Sequence, residues 1–308
     1  MKLTREKLFS VKNEGIYKII NILGFEIKFK TFKNMEIYYK EIIDDYALRV
    51  NNFRSFMADF INLLDLTKND TDVHEYNQDV ITDANLDFYD EEFYKTNAQE
   101  SYDSAIKIID IIKKFYTPQS VFDLGCGVGT WLKAWQDNGV SEILGVDANE
   151  MDEKYLYIPR KNLKIIDFEK QTVKLEKKFD MAMSLECLEH ISNMREDVAF
   201  KTLTNAADFV LFSAAIPYQV GTNHINNHKL IYWVDKFKKE GFSCFDIVRP
   251  ELLKNSIDVG PWYIQNVLVF ARGGKKEVLE KKGAKAVDKP VMFYHSEMLR
   301  GILFANNI

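Results

Sequence analysis

The sequence is poor in the features that mark secreted, membrane-spanning and nucleic-acid-binding proteins. Its three cysteines include no CxxC pair, which fits reduced thiols in a cytosolic protein better than a disulfide framework or a zinc site. No run approaches the roughly 18 apolar residues that cross a bilayer, and the N-terminus lacks the apolar core of a signal peptide. The net charge of −5 argues against a protein that binds nucleic acid through many phosphate contacts. We therefore expect a cytoplasmic protein.

The 308 residues suffice for one large domain with appendages or for two domains. We divide the chain into an N-terminal hairpin and helical extension over 1–95, an α/β domain over 96–272, and a C-terminal helix and tail over 273–308. Apolar and charged residues alternate over 25–29 and predict a small β-hairpin within 14–30. Apolar residues spaced three and four apart predict a long helix over about 34–66. Its apolar face packs either on the protein's own core or on a second copy in a homodimer.

The central region alternates strand and helix patterns. A helix is predicted over 97–115, and strands are predicted near 120–124, 142–147, 163–166, 179–184, 208–213, 243–248 and 264–271. Strand–helix alternation at this pace indicates a doubly wound parallel sheet. Such a sheet binds its ligand beyond the carboxyl ends of its strands, near the point where the strand order reverses. Polar residues that directly follow the predicted strands are therefore the first candidates for a site.

The first predicted strand runs straight into a glycine-rich turn. Glycine lets a backbone turn sharply and approach a ligand without a Cβ atom in the way. A dinucleotide-binding fingerprint would place its third glycine at position 130, which is a threonine. An acid, Asp123, precedes the turn, and with the G-x-G-x-G spacing it favours S-adenosylmethionine, a cationic ligand, over NAD. The glycines of the turn are Gly125, Gly127 and Gly129.

The next two strands also end in acids. Asp147 closes the second strand, 22 positions after Gly125, where a carboxylate can accept hydrogen bonds from both ribose hydroxyls. The third strand ends in Asp167 and Phe168, an acid for the adenine amino group and an aromatic ring for its face. For Phe168, a place in the ordinary core is the alternative.

The fourth strand leads into the motif F-D-x-x-x-S-x-E-x-x-E-H over 179–190. Together with the glycine turn, the G-x-D of the second strand and the D-F of the third, this order resembles class I S-adenosylmethionine-dependent methyltransferases over about 88–272. The resemblance implies a Rossmann-like, seven-stranded, mostly parallel sheet. It also implies S-adenosylmethionine as the methyl donor, with S-adenosylhomocysteine as the product.

Within that superfamily, the chain resembles a narrower bacterial group that has the motifs FSAAIPxQxGTxHxN and WYxQN and is often associated with surface-polysaccharide biosynthesis. The first motif falls on 212–226 and the second on 262–266. The segment 9–30 resembles a piece found on bacterial surface-glycan enzymes. Two departures from the group, the sequence PYQVG at 217–221 and the pair Asn227-His228, fall where we expect the acceptor.

The resemblance assigns the donor site residue by residue. The glycine backbone approaches the methionine and the ribose, Asp123 faces the methionine ammonium, and Asp147 holds the ribose. Residues at the ends of the third and fourth strands border the adenine and the methyl group. The predicted donor-binding residues are Asp123, Gly125, Cys126, Gly127, Gly129, Asp147, Ala148, Asn149, Asp167, Phe168, Ser184, Leu185 and Glu186.

The predicted catalytic residues are two histidines. An alcohol acceptor must lose a proton, which calls for a general base. His224, in the loop after the fifth strand, is the leading candidate because an imidazole titrates near neutral pH. His190 is its rival, with a structural or donor-side role as the alternative.

Trp131, Tyr218 and Trp233 are candidate walls of the acceptor pocket, with a place in the core as the alternative, and His228 is expected on the surface of a helix. A metal on His224 and His228, four residues apart, is weighed and not expected, because a helix has barely begun there.

We therefore expect an O-methyltransferase that acts on a small polar acceptor, a sugar or sugar-derived precursor, free or nucleotide-linked, of a capsular polysaccharide or lipopolysaccharide. Other acceptors, an amine or a phosphorus-linked oxygen, remain open. A non-catalytic binding protein and an NAD-dependent sugar oxidoreductase are the alternatives from other classes; a glycine at position 130, which the latter requires, is missing. We expect no nucleic-acid partner and no transmembrane segment.

Overall fold

The computed structural model describes residues 9–14, 17–22, 25–30 and 91–295, apart from 218, 220, 222 and 256, and the single residue 298. The chain divides into two compact units. One holds the strands β1 (Phe9–Glu14), β2 (Tyr17–Ile22) and β3 (Phe25–Lys30), joined antiparallel in the order β1-β2-β3. The predicted hairpin over 14–30 is thus part of a three-stranded sheet. The predicted helix over 34–66 lies outside the described residues.

The second unit contains a seven-stranded sheet. Its order is β6-β5-β4-β7-β8-β10-β9, and β10 alone runs against its neighbours. This confirms the predicted doubly wound, mostly parallel sheet. The order reverses between β4 and β7, so their carboxyl ends form the switch point at which such sheets bind ligands. The strands are β4 (Ser120–Leu124), β5 (Glu142–Asp147), β6 (Leu163–Ile165), β7 (Met181–Leu185), β8 (Phe209–Ser213), β9 (Ser243–Phe245) and β10 (Leu268–Ala271).

Helices cover both faces of this sheet because neighbouring residues of a buried strand point to opposite sides. Val121 belongs to the core cluster that includes residues of the first two helices, whereas Phe122 belongs to the cluster under α3 and α4. Both faces are therefore buried, as a parallel sheet requires. The helices are α1 (Glu91–Lys113), α2 (Thr130–Asp137), α3 (Asn193–Ala206), α4 (Leu230–Lys239), α5 (Arg249–Lys254), α6 (Pro261–Asn266) and α7 (Gly273–Lys281).

Two predicted strands are shorter than their apolar runs suggested. The first residues of the strand predicted over 264–271 belong to α6, which has Pro261 in its first turn. The observed strand begins only at Leu268. Likewise, β9 ends at Phe245, and α5 begins four residues later with a proline in its first turn. In addition, α1 begins at Glu91, earlier than the predicted start at 97. No helix among the described residues is long and apolar enough to cross a membrane.

A buried carboxylate ties α3 to the loop between β8 and α4. Glu196 accepts hydrogen bonds from Asn226 Nδ2 at 2.7 Å and from the Tyr232 hydroxyl at 2.5 Å, and it pairs with Lys236 and with His228 Nε2 at 3.2 Å. Burial alone would raise the pKa of Glu196, but these donors outweigh it and lower the pKa from 4.5 to about 2. Glu196 is therefore ionised in the folded protein, and its charge holds the loop that carries His224.

We expect Glu196→Gln to lower the free energy of unfolding at pH 7 by up to about 3 kcal/mol, the linkage value for this pKa shift. Because the folded pKa lies below the unfolded one, this contribution is complete above about pH 5 and is lost as the pH falls towards 2. Urea unfolding of wild type and variant at several pH values measures it. Asp197→Asn, which removes an exposed partner of the same Lys236, should change little. A difference that stays constant between pH 7 and pH 3 would contradict the assignment.

Candidate active site

The glycine turn after β4 has the backbone geometry that its sequence predicts. Gly125 has a φ of 80°, and a Cβ atom there would lie 2.2 Å from the Cys187 sulfur. Gly127 has a φ of 52°, and a Cβ atom there would meet nothing within 4 Å. Its N–H donates to Asp147 Oδ2 at 2.8 Å. The turn is thus packed tightly at its start and open at its middle, where the backbone can approach a ligand.

This turn borders a cavity of about 220 Å³. The cavity lies at the switch point, where the carboxyl ends of β4 and β7 meet. Five of the predicted donor-binding residues line this cavity, and the space beside the glycines can hold a small ligand. The predicted residues that line it are Asp123, Gly125, Cys126, Gly127 and Leu185.

Asp123 is the most informative residue of the cavity. Its side chain is only 3% exposed, and no described residue donates a hydrogen bond to its carboxylate. Burial, and after it the nearby Asp147, raises the pKa of Asp123 well above its usual value. A buried carboxylate without a partner is costly unless something cationic or proton-donating meets it. The ammonium of a bound S-adenosylmethionine meets that requirement.

The carboxylate of Asp147 accepts hydrogen bonds from the backbone and can accept more. Its Oδ1 accepts the N–H of Asn149 at 2.9 Å, and its Oδ2 accepts that of Gly127. Burial raises its pKa, and these amides and the charge of His190 partly offset the rise. Each carboxylate oxygen can accept a further hydrogen bond, so Asp147 fits two ribose hydroxyls. The residues present thus fit S-adenosylmethionine.

Six further residues of the cavity were not in the predicted donor-binding set, and four of them are joined by hydrogen bonds. Trp131, expected at the acceptor, lines this cavity and donates from Nε1 to the Tyr263 hydroxyl at 3.0 Å. The hydroxyl of Ser101 lies 3.1 Å from that of Thr130 and 3.3 Å from that of Tyr263. These contacts join α1, α2 and α6, which are distant in sequence. In the sequence, Tyr263 could have been found from its place in the WYxQN motif.

Other predicted donor residues lie outside the cavity wall. Asp167 pairs with Lys170 at 2.7 Å, and Phe168 packs in the hydrophobic core. Ser184 is fully buried, and its hydroxyl donates to the Leu124 carbonyl at 2.9 Å, across the ends of β7 and β4. A contact of Asp167 or Phe168 with adenine stays a prediction. Gly129 packs against Ile158, whereas Ala148 and Asn149 are exposed at the end of β5.

The structure brings the two motifs of the narrower bacterial group together at Glu186. Its carboxylate accepts Gln219 Nε2 at 2.7 Å and Asn266 Nδ2 at 3.1 Å. Gln219 Oε1 in turn accepts Gln265 Nε2 at 3.0 Å and Asn266 Nδ2 at 2.8 Å. Burial raises the pKa of Glu186, and these donors with Ser213 partly offset the rise. Glu186 therefore anchors the loop after β8 to α6.

The two predicted catalytic histidines lie side by side. The rings of His190 and His224 are 4.9 Å apart at 76°. His224 Nδ1 lies 3.0 Å from the Gln219 carbonyl, and His190 Nδ1 lies 3.1 Å from the Asn223 carbonyl. Since a carbonyl only accepts, Nδ1 of the neutral His224 carries the proton and its Nε2 keeps the lone pair. Burial, and then His190, lowers the pKa of His224 to about 4.

Two expectations for the acceptor side are not met, and a third concerns a residue that the structure does not describe. Trp233, expected as a pocket wall, is fully buried between Phe200 and Phe212. His228 is buried and precedes α4, whereas we expected a surface position on a helix. Tyr218 lies outside the described residues.

Comparison with known proteins is consistent with this site. Residues 94–210 match the family model described as "Methyltransferase domain". No curated protein matches.

Solved structures similar to this chain are methyltransferases. Magnesium protoporphyrin IX methyltransferase from Synechocystis PCC 6803, solved with S-adenosylmethionine, is 18% identical, with 60% of this chain and 86% of that chain covered and a TM-score of 0.42. The methyltransferase domain of bacterial CtHen1-C is 19% identical, with 56% and 98% covered and a TM-score of 0.40. The plantazolicin methyltransferase BpumL, solved with S-adenosylhomocysteine, is 12% identical, with 61% and 92% covered and a TM-score of 0.42.

The family match falls on the segment that carries the glycine turn, Asp123 and Asp147. Residues 94–210 are thus identified as a methyltransferase domain.

Proposed function

We propose that the protein is an O-methyltransferase of a small polar acceptor, a sugar or sugar-derived precursor of a bacterial surface polysaccharide. One observation carries the oxygen acceptor: His224 lies in the loop after β8, against the ring of His190, with Nδ1 beside a carbonyl and Nε2 able to accept a proton. A hydroxyl needs such a group, because its proton must leave as the new bond forms. An amine acceptor that is already deprotonated does not need a proton-accepting group.

The donor is held by residues at the ends of β4 and β5. Asp123 binds the methionine ammonium through a charge-assisted hydrogen bond, Asp147 accepts the ribose hydroxyls, and the open backbone at Gly127 lets the ligand approach. S-Adenosylmethionine supplies an electrophilic methyl carbon on its sulfonium. The protein's main task is then to align the acceptor with that carbon, since in-line displacement depends on position.

In the transfer step, the acceptor oxygen forms a bond to the methyl carbon as the carbon–sulfur bond breaks. The electron pair of the broken bond stays on sulfur, which yields S-adenosylhomocysteine, and the hydroxyl proton passes to His224 Nε2. Burial keeps His224 neutral over the physiological pH range, since its pKa is about 4. His190, next to it and close to Asp147, positions the acceptor between base and donor.

The sugar acceptor is supported by the resemblance to the bacterial group with the FSAAIPxQxGTxHxN and WYxQN motifs. A phosphorus-linked oxygen is the near alternative, because it needs the same alignment. The three free cysteines are buried, which supports a reducing, cytoplasmic setting. A homodimer through the predicted 34–66 helix stays a prediction.

Asp123→Asn should weaken donor binding about 10- to 100-fold, the range for losing a hydrogen bond to a charged group, and raise the melting temperature of the ligand-free protein. Both effects have one cause, because the variant removes a buried carboxylate that only the ligand satisfies. Calorimetric titration with S-adenosylhomocysteine and thermal unfolding measure them.

The matched control is Asp180→Asn. Asp180 accepts the Gln119 N–H at 3.0 Å, and its pKa is lowered by such partners despite partial burial. This variant should lose stability and keep its donor affinity. A destabilised Asp123→Asn protein with normal affinity would remove Asp123 from the donor site.

His224→Ala should lower the rate of transfer about 10²- to 10⁴-fold, the usual contribution of a general base, and leave donor affinity unchanged. Mass spectrometry after incubation with S-adenosylmethionine and a panel of free and nucleotide-linked sugars identifies the methylated acceptor. Gly221→Ala should also impair transfer, because its Cβ atom would lie 2.1 Å from His224 Nε2.

Full activity in His224→Ala would point to an amine acceptor. Donor binding without a methylated product from any acceptor would favour a binding protein that has kept the methyltransferase fold.

A further inference from the structure

We propose that Glu189, His190 and His224 bind a divalent first-row transition-metal ion. One ligand atom from each of the three residues lies within 4.8 Å of the others. Glu189 and His190 come from the 3-10 helix Leu188–His190, which follows β7, and His224 comes from the loop after β8. The cluster therefore forms at the same edge of the sheet as the donor site.

Glu189 is the independent sign of a missing ligand. It is 0% exposed, and neither carboxylate oxygen has a hydrogen-bond partner. The backbone amides of Glu189 and Ala215 face the carboxylate and stabilise its charge slightly, but neither completes a hydrogen bond of normal geometry. A buried carboxylate in this state is expensive. A bound cation removes the cost.

Both histidines have the outer contact that is usual for a metal-bound imidazole. His224 Nδ1 lies 3.0 Å from the Gln219 carbonyl, and His190 Nδ1 lies 3.1 Å from the Asn223 carbonyl. A carbonyl at Nδ1 fixes the tautomer of the neutral His224 and leaves its Nε2 as the ligand atom.

The loop that carries His224 is held in place by the ligand residue itself. The Glu189 carbonyl accepts the N–H groups of Ile225 and Asn226, both at 2.9 Å. Gly221 leaves room at His224 Nε2, where a Cβ atom would lie 2.1 Å away. Carboxylate and imidazole thus approach each other because the backbone already binds one to the other.

The donor set indicates which ion binds. Two imidazoles and one carboxylate suit Mn²⁺, Fe²⁺, Co²⁺ or Zn²⁺ better than Mg²⁺ or Ca²⁺, which prefer oxygen ligands. Three protein ligands also leave coordination positions open, as in catalytic metal sites.

The consequence for transfer rests on the proposed function. An acceptor hydroxyl bound at an open position is acidified by the cation and releases its proton to water. Its oxygen then takes the methyl carbon while the carbon–sulfur bond breaks. With the ion bound, His224 Nε2 is a metal ligand, and the cation with water takes over the deprotonation that His224 performs in the metal-free protein.

The test uses the full-length protein, freed of metal with a chelator and then dialysed. Calorimetric titration with Co²⁺ should give one ion per chain, and the visible absorption of bound Co²⁺ should report nitrogen and oxygen ligands. Mg²⁺ should bind far more weakly. Glu189→Gln should weaken Co²⁺ binding by at least about 100-fold, beyond the range for losing an outer contact. Glu176→Gln, an exposed acid elsewhere, should bind Co²⁺ as wild type does.

Thermal unfolding separates a metal ligand from a structural residue. In chelator, Glu189→Gln should be at least as stable as wild type, because glutamine has the same shape without the unpaired charge. The wild type should gain stability with Co²⁺ and the variant should not. A variant that is destabilised in chelator, or a wild type that binds no Co²⁺, would overturn the metal site.

Activity then distinguishes the two proposals. Methyl transfer that is lost in chelator and restored by Mn²⁺ or Co²⁺ supports both the metal site and the O-methyltransferase. Transfer that needs His224 but survives the chelator overturns the metal and keeps the O-methyltransferase. Stoichiometric Co²⁺ binding without any methylated product keeps the metal site and counts against the O-methyltransferase.

Discussion

The switch point of the sheet gathers four carboxylates, three of them buried and that of Glu186 partly buried, and the surrounding structure is organised by the need to neutralise or hydrogen-bond them. Asp123 lies near the end of β4, Asp147 ends β5, and Glu186 and Glu189 follow β7. In each case burial is the largest influence on the pKa and raises it. Parallel strands bring their carboxyl ends to one edge of the sheet, so the four acids lie near one another. What differs between them is the set of partners.

Two of the acids are satisfied within the protein. Asp147 is met by backbone amides, one of them from the glycine turn, and Glu186 is met by the side-chain amides of Gln219 and Asn266. Asp123 and Glu189 are not satisfied in this way. The difference separates two roles. Asp147 and Glu186 shape the site before anything binds, whereas under the two proposals Asp123 and Glu189 obtain their partners from the bound donor and the bound ion.

The sequence predicts the part of this arrangement that depends on local order. The strand ends and the glycine turn follow from apolar runs that stop at glycine or acid, and β4 and β5 have the predicted bounds. It could not predict contacts between distant segments. Tyr263 reaches the cavity from α6, 132 positions after Trp131, and no periodicity marks such a pair. For the same reason, the sequence pairs His224 with His228 as candidate metal ligands, whereas in the fold Glu189 and His190 lie beside His224.

The loop after β8 also changes how the departures from the bacterial group are interpreted. Asn227 was expected to face the acceptor, yet it is buried, and its Nδ2 lies 3.3 Å from the Ile216 carbonyl. His228 is buried against Glu196. A difference at these positions therefore alters the support of the loop and not the surface that an acceptor touches. Among the described residues of this loop, Gly221, Asn223 and Ile225 are exposed. Under the proposed function, selectivity for the acceptor therefore depends on these positions, because the buried residues serve to keep His224 in place.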